Sequence, residues 1–196
     1  MKRTKILNIL DLLIEFSYLG VVFLLPLYFA FFLDNHNVFE LNKLVLFKIL
    51  ISLFTVSLLL RWSFFSLPVS KDALKRRSQY LLIPVLFLLS LAISTLLSGF
   101  TDLSIWGTYS RQQGLITHLY FLSFFVLLLL YVNKDHQVKR ILKAAGYSAL
   151  LVGVYGLTQI AGWDPFTWAR SPEDTGRIFS SLGQPNYLGT YLMLVI

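Results

Sequence analysis

LVLFKILISLFTVSLLLRWSFF, Leu44–Phe65, carries two charges, Lys48 and Arg61, and is otherwise apolar apart from a few hydroxyls. As a helix rising about 1.5 Å per residue, such a run crosses the roughly 30 Å of hydrocarbon in a bilayer. Four runs of the same kind flank it, at Leu12–Leu33, Tyr80–Phe100, Leu115–Val132 and Ile141–Gly162, and another begins at Tyr187 and is still apolar at Ile196. The expected fold is an all-α polytopic integral membrane protein: one transmembrane helical domain over 1–196, with five full transmembrane helices plus the start of a sixth. Because that last run is unfinished, the sequence is expected to be the N-terminal portion of a larger protein.

Composition agrees. Of 196 residues, 56% are hydrophobic, 16% aromatic and only 14% charged, and the mean hydropathy is +0.68. That balance excludes an ordinary soluble domain. The segment Met-Lys-Arg-Thr-Lys before the first run resembles a signal peptide, but the run is longer than a signal h-region and no small-residue cleavage site follows, so a retained first span is expected. Absence of cysteine excludes disulfides and thiolate metal sites here.

The net charge of +7 lies in short loops rather than on one soluble face, so a lipid bilayer and no nucleic acid is the expected partner. With the N-terminus cytoplasmic, Lys2, Arg3, Lys5, Arg61, Lys71, Lys75, Arg76, Arg77, Lys134, Lys139, Arg140 and Lys143 fall on the inner side. Lys43, Lys48, Arg111, Arg170 and Arg177 fall outside. The positive-inside bias supports that orientation, with loops 34–43, 101–114 and 163–186 facing out. Trp62, Tyr80 and Tyr131 then belong to the inner aromatic belt, and Trp106, Tyr109, Trp163 and Trp168 to the outer one.

Two outer loops carry arginine on the side kept poor in it. In the first, Gly107 and Gly114 permit tight turns around Arg111, which either snorkels as an interfacial anchor or binds the phosphate of a lipid-linked substrate. In the second, Arg177 precedes Ser180, Ser181, Gly183 and Gln184-Pro185-Asn186. A helix starting at Pro185 or Asn186 leaves its first amides and positive dipole end free for an anion. The guanidinium adds a fork that grips two phosphate oxygens. The alternative is a capped helix beside a surface arginine. His118 lies one turn inside the fourth span, seven residues after Arg111, and shares a face with it if the helix begins that early. Glu15 is read as a structural partner for an inner arginine, and no spacing defines a metal or acid/base site.

These two loops, Trp106-Gly-Thr-Tyr-Ser-Arg-Gln-Gln-Gly-Leu115 and Gly176-Arg-Ile-Phe-Ser-Ser-Leu-Gly-Gln-Pro-Asn-Tyr-Leu-Gly-Thr-Tyr-Leu192, resemble the bacterial O-antigen ligase and polymerase superfamily. The resemblance implies a multi-pass glycosyltransferase of the bacterial inner membrane, with no cofactor and no metal. It would move a glycan from undecaprenyl diphosphate to a growing polysaccharide, a lipid A core sugar or a protein hydroxyl on the extracytoplasmic side. Arg177 matches the family's first diphosphate-binding arginine and Arg111 is a looser second, with Gln184, Asn186, Ser180 and His118 as supporting residues. The acceptor-activating residue is expected beyond residue 196, which would leave this portion inactive by itself. Two other classes stand beside this one: a transporter or flippase of an anionic lipid or solute, and a non-catalytic membrane subunit.

Overall fold

A computed structural model describes residues 2–30, 39–65, 75, 77–109, 111–166, 168 and 176–195 of the chain. All regular structure among them is helical: α1 (Lys2–Leu27), α2 (Glu40–Phe64), α3 (Leu82–Leu96), α4 (Thr101–Trp106), α5 (Leu115–Tyr131), α6 (Asp135–Ile160) and α7 (Pro185–Val195), with 3₁₀ turns at Gln79–Leu81 and Ser180–Leu182. Four helical stretches are long and apolar enough to cross a membrane: Thr4–Leu27, Glu40–Phe64, Gln79–Leu96 and Asp135–Ile160. α5 is apolar but shorter.

Several boundaries differ from the sequence expectation. α1 begins at Lys2 rather than Leu12, because lysine, arginine and isoleucine extend the helix ahead of its apolar part. α3 stops at Leu96, short of Phe100. There Ser98 takes the Phe100 amide on its hydroxyl at 3.1 Å and receives Ser104 Oγ at 2.9 Å, giving the backbone an alternative to another helical turn. Pro84 is the third residue of α3, in the first turn, where its missing N–H would have had no intrahelical partner. Pro26 is in the last turn of α1.

The chain gathers into two compact units, Met1–Tyr18 with Phe47–Val138, and Leu19–Leu46 with Lys139–Ile196. In the first, Leu10, Ile14 and Tyr18 on α1 and Phe47, Leu50, Ile51, Phe54 and Leu58 on α2 are buried at helical spacing. Tyr18 packs on Phe54 and Tyr131 with ring centroids 6.0 and 6.1 Å apart. At one end of this unit Arg61 Nε donates to Asp11 Oδ1 at 2.6 Å, and Tyr131 Oη donates to the same oxygen at 3.3 Å. Asp11, one turn before Glu15, thus pairs with Arg61.

Helix ends in the first unit are capped by side chains. Arg77 donates to the carbonyls of Leu129 and Val132 at 2.6 and 3.1 Å, placing a cation at the negative end of α5. Gln137 Oε1 reaches back to the amides of Asn133 and Lys134 at 2.9 and 3.0 Å, half of a capping box for α6.

In the second unit, Val21, Ala30, Ala149, Val152, Phe179 and Leu188 form the apolar interior. Ser148 Oγ on α6 donates to the Phe23 carbonyl on α1 at 3.0 Å. Outside these stripes the helices stay apolar: Leu12, Phe16, Ile49, Val56, Leu59, Ile83, Leu86 and Leu157 are all exposed. A helix with one buried apolar stripe and an equally apolar outer face suits hydrocarbon rather than water.

Candidate functional site

The turn leading into α7 is built from buried polar groups, each with a partner. Pro185 is the first helical residue of α7, and the Leu188 amide closes the first intrahelical bond on the Gln184 carbonyl at 3.1 Å. The amides of Asn186 and Tyr187 come before that bond, as helix geometry requires. Gln184 and Asn186 flank Pro185 at this helix start and are exposed, as is Arg177 in the segment ahead of the turn.

Beneath them, Ser180 and Ser181 are 0% and 2% exposed. Ser180 has φ of +50°, a left-handed conformation that side-chain-bearing residues rarely adopt and that costs about 1–3 kcal/mol. Its hydroxyl donates to the Val152 carbonyl at 2.7 Å, and its amide donates to Gln159 Oε1 at 2.8 Å. Ser180 therefore supports the turn from within and does not face outward as the supporting ligand residue expected from sequence. Gly183 follows at φ +79°; a Cβ there would meet the Phe39 ring at 2.5 Å, so glycine is required for space as well as conformation.

Pro26 is the anchor of this turn on α1. Its carbonyl, one of the last in α1, accepts Ser181 Oγ at 2.8 Å and Lys43 Nζ at 3.3 Å. Lys43 also donates to the Ser181 carbonyl at 2.6 Å. A lysine placed among outer-loop charges by sequence is thus a cap on a helix C-terminus, where positive charge is favoured.

Asp164 organises the other side. Oδ1 accepts Tyr155 Oη at 3.0 Å and the Phe166 amide at 3.1 Å; Oδ2 accepts Gln159 Nε2 at 2.9 Å and Trp168 Nε1 at 2.7 Å. Burial pushes this carboxyl upward, but the hydrogen bonds from Trp168, Gln159, the Phe166 amide and Tyr155 outweigh it and hold the group below its ordinary value. Around it Phe29 stacks on Tyr155 at 5.9 Å and meets Phe166 edge-on at 5.3 Å, while Trp168 lies 5.1 Å from Phe39 and 5.7 Å from Phe179. The loop after α6 is therefore a packed aromatic cap with a carboxylate at its hub.

Beside the turn, an apolar cavity of about 590 Å³ runs between α6 and α7, lined among others by Gly146, Gly153, Gly156, Ile178, Leu188 and Leu192. Ile178 is the residue after Arg177, so the cavity wall and the arginine share one short segment.

The first unit holds the other two expected residues. Arg111 is exposed on a loop closed by Gly107 and Gly114. A Cβ on Gly107, whose φ is +82°, would meet the Gln113 amide nitrogen at 2.5 Å, so the two ends of the loop are in backbone contact. Gln112 Oε1 receives Lys48 Nζ at 3.2 Å, and its carbonyl receives Thr117 Oγ1 at 2.5 Å.

Gly114 is the N-cap of α5, so Arg111 precedes the helix and the expected helical face shared with His118 does not form. His118 Nδ1 lies 3.0 Å from the Gly114 carbonyl; since a carbonyl only accepts, Nδ1 carries the hydrogen and Nε2 is left for other partners. The ring touches Phe87 and Phe121 and lines an apolar cavity of about 240 Å³ with Pro84, Leu88, Leu122 and Phe125.

Thus Arg177, Gln184 and Asn186 belong to the unit that contains α7, whereas Arg111 and His118 belong to the other. Arg170, Ser171, Glu173, Asp174, Thr175, His36 and Ser110 lie outside the described residues. Among the described residues no group of three or more histidines or acidic residues could hold a metal. Sequence reading misses Gln159, Lys43 and Asp164 as site-building residues. Asp164-Pro165 after a helix is a usable turn signal, but the partners of Gln159 and Lys43 are remote in sequence. The chain matches no protein-family model, and no curated protein or solved structure matches it.

Proposed function

We propose that the chain is part of a membrane glycosyltransferase of the O-antigen ligase or polymerase type, transferring a glycan from undecaprenyl diphosphate to a saccharide or protein acceptor on the extracytoplasmic face. The observation that carries the reading is the segment leading into α7: an exposed arginine ahead of a turn whose serine hydroxyls are engaged by the protein itself, then a Gln-Pro-Asn entry with early helical amides. Such a turn is rigid, and its outward groups suit an anion. Departure of a diphosphate builds negative charge, and a fixed guanidinium aimed at it lowers the barrier without reorganising. The exposed Arg111, on its glycine-closed loop, suits lipid phosphate in its own unit.

This reading takes α5 as a fifth span, since its 17 residues lie at the short end of the range that crosses a bilayer, about 17–25. It takes the N-terminus as cytoplasmic, which puts α7's start outside, and the bacterial inner membrane as the location.

Arg177→Ala is expected to lower glycan transfer about 10²- to 10³-fold, the usual effect of deleting one such donor. Arg177→Lys should lose most of that activity too, because an ammonium keeps the charge but not the fork. Transfer assayed in membranes, with folded protein quantified by size exclusion, checks both. Full activity in the two variants refutes the reading, and vectorial movement of lipid without transfer replaces it with a flippase.

A further inference from the structure

Gln159, 2% exposed at the end of α6, joins two groups that are otherwise separate. Its Oε1 accepts the Ser180 amide at 2.8 Å and its Nε2 donates to Asp164 Oδ2 at 2.9 Å. A primary amide has one accepting and one donating end, whereas a carboxylate only accepts. Asp164 therefore decides which end of Gln159 faces Ser180. With the amide reversed, its NH₂ would confront the Ser180 N–H, donor against donor. Asp164 is itself held from three further directions, by Tyr155, Trp168 and the Phe166 amide, so the orientation is transmitted from a rigid hub. Ser180 in turn keeps its φ of +50°, and Arg177 lies just ahead of it in the chain.

We propose that Gln159, oriented by Asp164, is a positioning residue for Arg177, locking the Ser180 amide so that the short segment carrying the arginine is held in one arrangement ahead of α7. The functional consequence rests on the diphosphate reading of Arg177. Among the described residues the titratable groups meeting the cluster are Asp164 and Tyr155; Lys43, from α2, binds the adjoining Ser181 carbonyl.

The test is Gln159→Glu in the full chain in lipid nanodiscs, with Gln159→Leu as a second variant. At about pH 8 the carboxylate introduced by Gln159→Glu faces that of Asp164 and the two repel; at about pH 5 the pair shares a proton. The protonated carboxyl then donates to Asp164 and accepts from Ser180, as the amide did. Hydrogen exchange at the Ser180 amide, relative to wild type at the same pH, should rise about tenfold at the higher pH, as for one lost buried hydrogen bond, and return to wild type at the lower. Gln159→Leu has no proton to regain and should exchange faster at both. Binding of geranylgeranyl diphosphate should weaken and recover along the same profile in Gln159→Glu. Wild-type protection of Ser180 in Gln159→Glu at the higher pH, or a loss that persists at the lower, overturns the proposal. If wild type and Arg177→Ala bind the probe equally, the diphosphate reading fails, while recovery of Ser180 protection at the lower pH still upholds Gln159 as the positioning residue.

Discussion

Asp164 shows how much one side chain can organise. Four donors converge on its two oxygens, and together they stabilise the charged form more than the unfolded chain does. Its folded value is depressed, so its contribution to stability is present above the unfolded value of about 3.9 and is lost as pH falls through the lower folded one. Asp164→Asn is therefore expected to melt at a lower temperature than wild type at neutral pH, with the gap narrowing below about pH 4; thermal melts across pH check this. Neither this hub nor the capping role of Lys43 is legible in the sequence. Gln159 finds Asp164 five residues away but Ser180 twenty-one away, and Lys43 finds Ser181 across 138 residues. Spacing identifies residues that share a helix face, not partners chosen by the fold. Arg177, Gln184 and Asn186 are legible because they lie in one short stretch of sequence.

At the scale of elements, helix starts marked by proline or glycine are the readable ones. Pro185 opens α7, where its fixed φ suits a first helical residue, and Gly114 caps α5, where a Cβ would have no room. The end of α3 is harder, because the apolar run continues through Leu97 while a serine side chain redirects the backbone. The loop holding Arg111 makes a sharp prediction. A Cβ at Gly114 would lie 2.5 Å from the Gly107 nitrogen, whereas one at Gly99 would meet nothing within 4 Å. Gly114→Ala should destabilise the purified protein by about 1–3 kcal/mol, the range for overpacking, and Gly99→Ala should be nearly neutral in the same detergent melts.

For the whole molecule, the apolar runs carry most of the fold because a membrane helix needs only length and composition to be recognised. The exposed Leu96 and Met193, 80% and 85% accessible, are natural surfaces toward lipid. What composition cannot supply is the division into two compact units, since α1 and α2 each contribute to both and no linker marks the change. Orientation is open to direct measurement because the chain contains no cysteine. Gln184→Cys should react with an impermeant maleimide from the extracytoplasmic side only and Lys75→Cys from the cytoplasmic side only; the reverse pattern would place α7's start inside and remove it from any extracytoplasmic donor.

The bonds on the Pro26 carbonyl have a further consequence during synthesis. Ser181 lies 155 residues after Pro26, so at a translation rate of about 5–20 residues per second the ribosome needs on the order of ten to thirty seconds to supply that partner. Until then the end of α1 is inserted but unfinished, and the nascent chain cannot complete the second unit by local folding. Assembly of the arginine turn is therefore a late event, timed by the emergence of α7 rather than by the insertion of α1.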